Sequence, residues 1–405
     1  MMQKFLTYKT QIFYWLLFMA GVSLSFPSYA LVSKFVIAFA IVGLFFMNKW
    51  SIKKQLLQTH KYAFLSISFL FLLTLLGSIY TDNFQDVPTS IVQKLPFLII
   101  PLVIFSIPLH KDTFDKMHQY FSYGVVASSL SALLKALYFK YKHLGDYLYY
   151  HQFSIFTEKH STYYAIFLVL AFIYFYKMLI STQKNRWTNL LLLVFLLTML
   201  YIVSNRISML ALFVALLTIT FPRLNLKAKI GFLLLALLGL VLAVNTPYIK
   251  KRFSASHLKS TQQSEITLRK AHWKSAIETI FENNILIGAG TEGNRHKLYE
   301  KYKKYNYKDA YVFKYNAHNQ MLETGLDFGI LGMLLLLIAF IYQFRLIIKH
   351  KNYYFLAVYL SLLSFSLTES IFERQSGIIV FSLFVSVILA ILFKSKSTNY
   401  ENNAI

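Results

Sequence analysis

The stretch Ala317-His318-Asn319-Gln320-Met321-Leu322-Glu323-Thr324-Gly325-Leu326-Asp327-Phe328-Gly329-Ile330-Leu331-Gly332 joins a polar His-Asn pair to the start of a long apolar run. From 324 to 344 that run is rich in Leu, Ile, Phe and Met, and it has the length of a helix crossing a hydrocarbon core about 30 Å thick. A titratable imidazole therefore stands at the membrane surface. Histidine is the side chain whose unperturbed pKa lies closest to neutral, which suits an interfacial one to take a proton from a sugar hydroxyl.

The same reading, carried outward, gives about twelve runs near the roughly 20 residues that a span requires. They cover 11–28, 30–47, 62–79, 95–109, 119–139, 161–180, 188–204, 206–221, 230–246, 324–344, 353–369 and 375–393. With 57% hydrophobic, 18% aromatic and 14% charged residues among 405, the chain is too apolar for a soluble domain. The expected fold is an all-α polytopic membrane protein. Residues 1–246 hold the first nine transmembrane helices and 247–317 form a large extracytoplasmic loop with amphipathic helices. Residues 318–393 hold the last three helices, and 394–405 form a tail.

Positive residues set the orientation, because Lys and Arg in short loops stay cytoplasmic. Lys49, Lys53, Lys54 and Lys61 fall on one side, as do Lys111 and Lys116, Lys184 and Arg186, Arg223, Lys227 and Lys229, and Arg345, Lys349 and Lys351. That side is expected to be the cytoplasm and to hold both termini. The first apolar run follows Lys4 and Lys9 as in a signal peptide, but the many spans after it mark it as an uncleaved helix. The chain has no cysteine, which excludes disulfides and thiolate chemistry.

The long outer segment is strongly basic, with acids limited to Glu265, Glu278, Glu282, Glu292, Glu300 and Asp309 between Lys250 and Lys314. Loops of that length escape the charge rule. Such a surface would concentrate an anionic substrate or rest on anionic headgroups. Tyr299, Tyr302, Tyr305, Tyr307 and Tyr311 alternate with lysines there. Nucleic acid is a poor match to an outer membrane face, whereas aromatic rings also stack on sugars.

Individual charged residues stand out by position. Arg206, in the tight turn Ser204-Asn205-Arg206, lies at the outer junction of two apolar helices, where an unpaired charge is costly. Arg269 precedes Trp273 by four in a helical pattern whose expected apolar stripe is Trp273, Ile277 and Ile280. A guanidinium there suits a phosphate, or a carboxylate such as Glu369 or Glu373. Glu369, Glu373 and Arg374 form a charged turn between the last two spans, and His160 opens another span as a helix-start residue or a catalytic one. Gly288-Ala289-Gly290-Thr291-Glu292-Gly293 matches a dinucleotide-binding pattern but lacks the preceding strand, so a glycine turn is expected. His257, His272, His296 and His318 lack metal-ligand spacing, and neither a metal nor a cofactor is expected.

Taken in chain order, the Ser204-Asn205-Arg206 turn, the Arg269-to-Trp273 helix leading into Gly288-Ala289-Gly290, and His318-Asn319 before Gly325 and Gly329 resemble the O-antigen ligase family. These are GT-C-type membrane glycosyltransferases that include O-antigen ligases and polymerases. The resemblance implies transfer of a glycan from an undecaprenyl-pyrophosphate carrier, without a metal, at the periplasmic face of a bacterial inner membrane. His318 would be the general base and Arg206 and Arg269 the pyrophosphate ligands. Asn319, Glu369, Glu373, Arg374 and His160 would be supporting residues. The acceptor is either a lipid A-core saccharide, as in a ligase, or another lipid-linked repeat, as in a polymerase. A flippase or transporter is the alternative of another class, but it calls for mid-span charges and an internal repeat, neither of which is prominent here.

Overall fold

The computed structural model describes residues 2–149, 152–183, 185–231, 234 and 265–394. Most of the span expected at 230–246, His257 with the first part of the large loop, and residues 395–405 of the tail lie outside the described residues. The N-terminal half contains α1 (Met2–Ser25), α2 (Tyr29–Ile41), α3 (Trp50–Thr59), α4 (Lys61–Gly77), α5 (Val87–Lys94), α6 (Pro96–Phe105), α7 (Thr113–Tyr141), α8 (Ser154–Thr157), α9 (Ser161–Ser181), α10 (Arg186–Val203) and α11 (Arg206–Thr220). After the loop come α12 (Glu265–Phe281), α13 (Arg295–Lys304), α14 (Lys308–Val312), α15 (Gln320–Lys349), α16 (Tyr353–Ser366) and α17 (Gln375–Lys394).

Among the described residues eight helical stretches are long and apolar enough to cross a membrane, or nine if α3 and α4, bent by 87°, form one span. The protein is an all-α polytopic membrane protein, and the described spans fall where the apolar runs lie. Three details differ from the sequence reading. The run expected at 353–369 is the shorter helix α16, of 14 residues, which is not among the eight. The run expected at 95–109 begins earlier, at Val87, because Leu95 continues α5 into α6. The lysine-bearing loop after residue 49 is the helix α3, nearly perpendicular to α4, as suits an amphipathic segment lying along an interface.

Helix α17 occupies the centre, with 89% of its apolar window buried, and packs on α6. Around it α1 pairs with α7, α9 with α10, and α11 with α16. Lipid supplies no hydrophobic drive between such helices, so close side-chain packing holds them together. Phe114, Phe121, His118, Tyr354, Phe355 and Phe384 interlock largely edge to face at the buried seam of α7, α16 and α17. His118 is fully buried, with Nε2 2.8 Å from the Leu170 carbonyl and Nδ1 2.6 Å from the Tyr354 hydroxyl.

The glycine turn is a plug between two helices. Helix α15 breaks at Gly329 (φ 63°, ψ −161°), which frees backbone N–H groups at membrane depth. Ile330 and Leu331 donate instead to the carbonyls of Ile285 and Leu286 at 2.9 and 3.0 Å, and Gly290 donates to Asp327 at 2.8 Å. Non-helical backbone inside a membrane protein survives where protein groups satisfy it in this way. Gly288 has φ +70°, and a Cβ there would lie 2.4 Å from the Asp327 carbonyl oxygen. Gly288→Ala is therefore expected to lower the melting temperature in detergent by the equivalent of about 1–3 kcal/mol. Gly231→Ala, with open space around it, serves as the control and should leave it unchanged; equal melting of the two variants would remove the plug's importance.

Candidate active site

Short connections make the helices alternate in direction, so the starts of α9, α11, α15 and α17 and the ends of α10 and α16 meet at one end of the bundle. The starts of α9, α11 and α15 are each capped by a side chain. His160 Nδ1 accepts from Thr162 N at 3.4 Å. Asn205 Oδ1 accepts from Ser208 N, and its amide donates to Thr162 Oγ1 at 3.0 Å, tying α11 to α9. Asn319 Oδ1 accepts from Met321 N and Leu322 N, while its amide donates to the Leu367 carbonyl at 2.9 Å. Caps of this kind contribute about 1 kcal/mol each and fix where the neighbouring residues point.

His318 stands immediately before the Asn319 cap in a left-handed conformation (φ 48°), a strain of about 1–3 kcal/mol for a non-glycine residue. Its N–H donates to Asn316 Oδ1 at 3.1 Å, and its carbonyl accepts from Trp273 Nε1 at 3.3 Å. Its side chain is one quarter exposed, and Nδ1 lies 3.0 Å from Glu369 Oε2. Burial pushes the Glu369 carboxyl up, but the His318 hydrogen bond and the charges of His318, Arg269 and His160 outweigh it and hold the group below its ordinary range. An ionised carboxylate can only accept, so Nδ1 carries a hydrogen, and in the neutral imidazole Nε2 then presents its lone pair.

The other oxygen of Glu369 receives Arg269 Nη2 at 2.9 Å. The carboxylate partner named from sequence for Arg269 is thus present, and the same carboxylate serves His318. Arg269 remains about one third exposed, with further N–H donors on its fork. Arg269 and Trp273, four apart on α12, both reach this centre. Of the rest of the expected stripe Ile280 is buried, but Ile277 is 42% exposed, and His272, Ser275, Ala276 and Thr279 complete the buried face. Small and polar residues form the inner face because α12 packs closely on α13 and α15.

His272 lies parallel to His318, with ring centroids 5.1 Å apart and an interplanar angle of 18°. Neither of its ring nitrogens has a hydrogen-bond partner among the described residues. Burial, with smaller contributions from the charges of His318 and Arg269, pushes its pKa down to about 3. The unfolded chain takes up a proton near pH 6.5 that the folded one refuses until about pH 3, so stability must fall as pH drops below about 6.5. His272→Phe is expected to flatten that fall, whose slope from one proton is at most about 1.4 kcal/mol per pH unit. Melting curves between pH 7 and pH 5 test this, and parallel curves for variant and parent would refute it.

A second polar cluster, which the sequence reading did not assemble, lies beneath. Arg295 donates through Nε to Glu292 at 3.1 Å, through Nη1 to Glu323, and through Nη2 to Asp327 at 2.9 Å. Lys94 lies 3.3 Å from Glu373 and 4.0 Å from Asp327. Burial pushes the Glu373 carboxyl up to about 7 against the opposing charge of Lys94. Arg295 and Lys94 bring Glu292 down to about 2 despite its burial.

Glu323 links this cluster to the site. Its Oε2 accepts from Ala317 N at 2.7 Å and from Ser370 Oγ at 3.1 Å, and Ser370 Oγ accepts from Asn319 N at 3.3 Å. The residues on either side of His318 and the one after Glu369 are therefore held by one carboxylate. Its oxygens are engaged and its side chain is only 1% exposed, which argues against Glu323 as a nucleophile.

The structure brings His318, Asn319, Arg269 and Glu369 together, with His160 near enough for its charge to act on Glu369. It places Glu373 in the lower cluster, apart from His318, and leaves Arg374 exposed with its carbonyl accepting from Gly377 N and Ile378 N at the start of α17. Arg206 is half-buried at the first turn of α11, beside the Asn205–Thr162 link. Among the described residues no cluster of three or more His, Asp or Glu is arranged to hold a metal ion. No curated protein matches this chain. Residues 191–337, which include Arg206, Arg269, Arg295, His318 and Glu323, match the family model described as O-antigen ligase, and that match supports an O-antigen ligase family assignment.

Proposed function

We propose that the chain transfers a glycan from a polyprenyl-pyrophosphate carrier, undecaprenyl in bacteria, to an acceptor hydroxyl, with ligation to lipid A-core as the leading reaction and polymerisation on a lipid-linked repeat as its sister. The observation that carries the reading is the His318–Glu369–Arg269 arrangement at a helix-capped end of the bundle. An acceptor hydroxyl is a weak nucleophile, and a base able to take its proton during attack contributes about 10²- to 10⁴-fold. Nε2 of His318 is that base. Glu369 holds the ring in the required tautomer and stabilises the imidazolium that forms.

In the step, the acceptor oxygen bonds to the anomeric carbon, the bond from that carbon to the phosphate oxygen breaks, and the electron pair leaves with the pyrophosphate. The proton passes from the acceptor hydroxyl to Nε2. Arg206 and the free donors of Arg269 bind the leaving group as its charge grows. Attack opposite the pyrophosphate inverts the anomeric configuration. A retaining route needs a free carboxylate near that carbon; Glu369 is engaged by His318 and Arg269, Glu373 by Lys94, and Glu323 by Arg295 and its other donors.

Charge at the opposite end of the bundle supports an outward-facing site. There Lys111, Lys177, Arg223 and Lys351 line a cavity of about 650 Å³ between helix ends, as expected of a cytoplasmic surface. We place the site at the periplasmic face of the inner membrane and the termini in the cytoplasm. The test is a transfer assay with purified protein, lipid-linked donor and each acceptor offered separately. Glycan on lipid A-core is the expected product, lengthened lipid-linked chains would establish the polymerase, and no transfer to either would remove the proposal.

A further inference from the structure

The end of α14 and the strap from it to α15 present aromatic rings outward beside His318. Tyr311, Val312, Phe313 and Tyr315 are 36%, 56%, 65% and 38% exposed, although both flanks of the strap are anchored. Ala310 and Ala317 are buried with Tyr302 in a small core of the outer loop. The Tyr315 N–H donates to the Ala310 carbonyl at 3.0 Å, the Tyr302 hydroxyl donates to the Asn316 carbonyl at 3.3 Å, and Ala317 N is held by Glu323. The exposure is therefore a fixed feature of the loop. Lys314 sits at the crest with φ +51°, and the chain turns there so that Phe313 and Tyr315 lie near one another.

Their rings are nearly parallel, 19° apart, with centroids separated by 6.0 Å. Tyr315 also meets His318 edge-on, at 5.9 Å and 89°. A row of surfaces thus runs outward from the imidazole, first the phenol and then the phenyl ring. Aromatic faces carry negative quadrupole charge, which complements the weakly positive C–H faces of a pyranose. Rings with two torsions also lose little freedom on contact.

We infer that Phe313 and Tyr315 form a saccharide-stacking subsite that orients the acceptor sugar whose hydroxyl meets His318. This rests on the transfer reading above and deepens it by assigning the acceptor side of the site. A membrane surface is the other occupant open to exposed aromatics. Two observations favour the sugar: Tyr315 adjoins the imidazole and Phe313 extends the row from it, and the polar residues Lys314 and Asn316 interrupt the strap so that no continuous apolar face forms.

The closing experiment uses the full-length protein in nanodiscs with Phe313→Trp, Phe313→Ala and Tyr315→Ala. The first readout needs no turnover. The emission that the Phe313→Trp indole adds over the parent is recorded with delipidated core oligosaccharide, with delipidated repeat oligosaccharide, and with brominated lipids. A saturable response to either glycan supports the subsite. Quenching by brominated lipid alone, or no response to any probe, overturns it.

The second readout is kinetic. Phe313→Ala and Tyr315→Ala are each expected to raise the acceptor KM roughly three- to tenfold with donor KM little changed, and Phe313→Trp should restore it. An unchanged acceptor KM in both alanine variants contradicts the subsite. Glycan binding without transfer by the parent protein would instead sink the reaction proposed above and leave the subsite standing.

Discussion

His318→Ala is expected to lower the rate of glycan transfer by about 10²- to 10⁴-fold without unfolding the protein. The side chain is one quarter exposed, and its polar contact is with Glu369, which keeps Arg269 as partner when the imidazole is gone. No buried charge is orphaned, so the melting temperature should change little. Donor binding should also persist, because Arg206 and Arg269, the proposed pyrophosphate ligands, are untouched. Initial rates at saturating donor and acceptor measure the effect. A rate near that of the parent, from protein that melts normally, would exclude His318 as the base and turn attention to His160.

Arg295→Met should act on the fold. One guanidinium serves Glu292, Glu323 and Asp327, and its side chain is one tenth exposed. Removing one partner of a buried ion pair costs about 3–5 kcal/mol, because the remaining charge stays desolvated. That is a large share of the 5–15 kcal/mol that ordinarily separates folded from unfolded states. Glu323 would lose its cation while still accepting from Ala317 and Ser370. The loss should therefore spread to the backbone around His318 and Glu369. The expected result is a marked drop in melting temperature together with faster amide exchange across 316–319. Unchanged melting would show that the cluster is neutral in sum and that Lys94 is sufficient counter-charge.

Much of the fold was legible because a bilayer imposes one rule along the whole chain. Long apolar runs have to be helices, and the described spans fall where those runs lie. Among the caps His160 was legible as a helix start; Asn205 and Asn319 occupy the same kind of position before an apolar stretch, and the structure shows them to be caps too. Arg269 and Glu369 could be named as partners from composition and side. That one carboxylate would bridge Arg269 to His318 depends on the loop's path, which periodicity does not encode. Arg295 escaped notice because it follows a glycine turn in a segment full of other cations. Two signals did point toward its cluster: Asp327 and Lys94 stand at the ends of apolar runs, where an ionisable group calls for a partner. Ile277 misled because hydrophobic spacing marks a buried face in water, whereas on a helix beside a membrane the small residues face inward and larger apolar ones remain outside.

The most direct test of the account is the position of a bound donor. The protein in nanodiscs, incubated with a polyprenyl-pyrophosphate glycan whose scissile oxygen is replaced by carbon, would be imaged by electron cryomicroscopy. The account predicts pyrophosphate density against Arg206 and Arg269, with the sugar's anomeric carbon beside a space that His318 Nε2 can reach. Pyrophosphate density at the opposite end of the bundle, among Lys111, Lys177, Arg223 and Lys351, would contradict it.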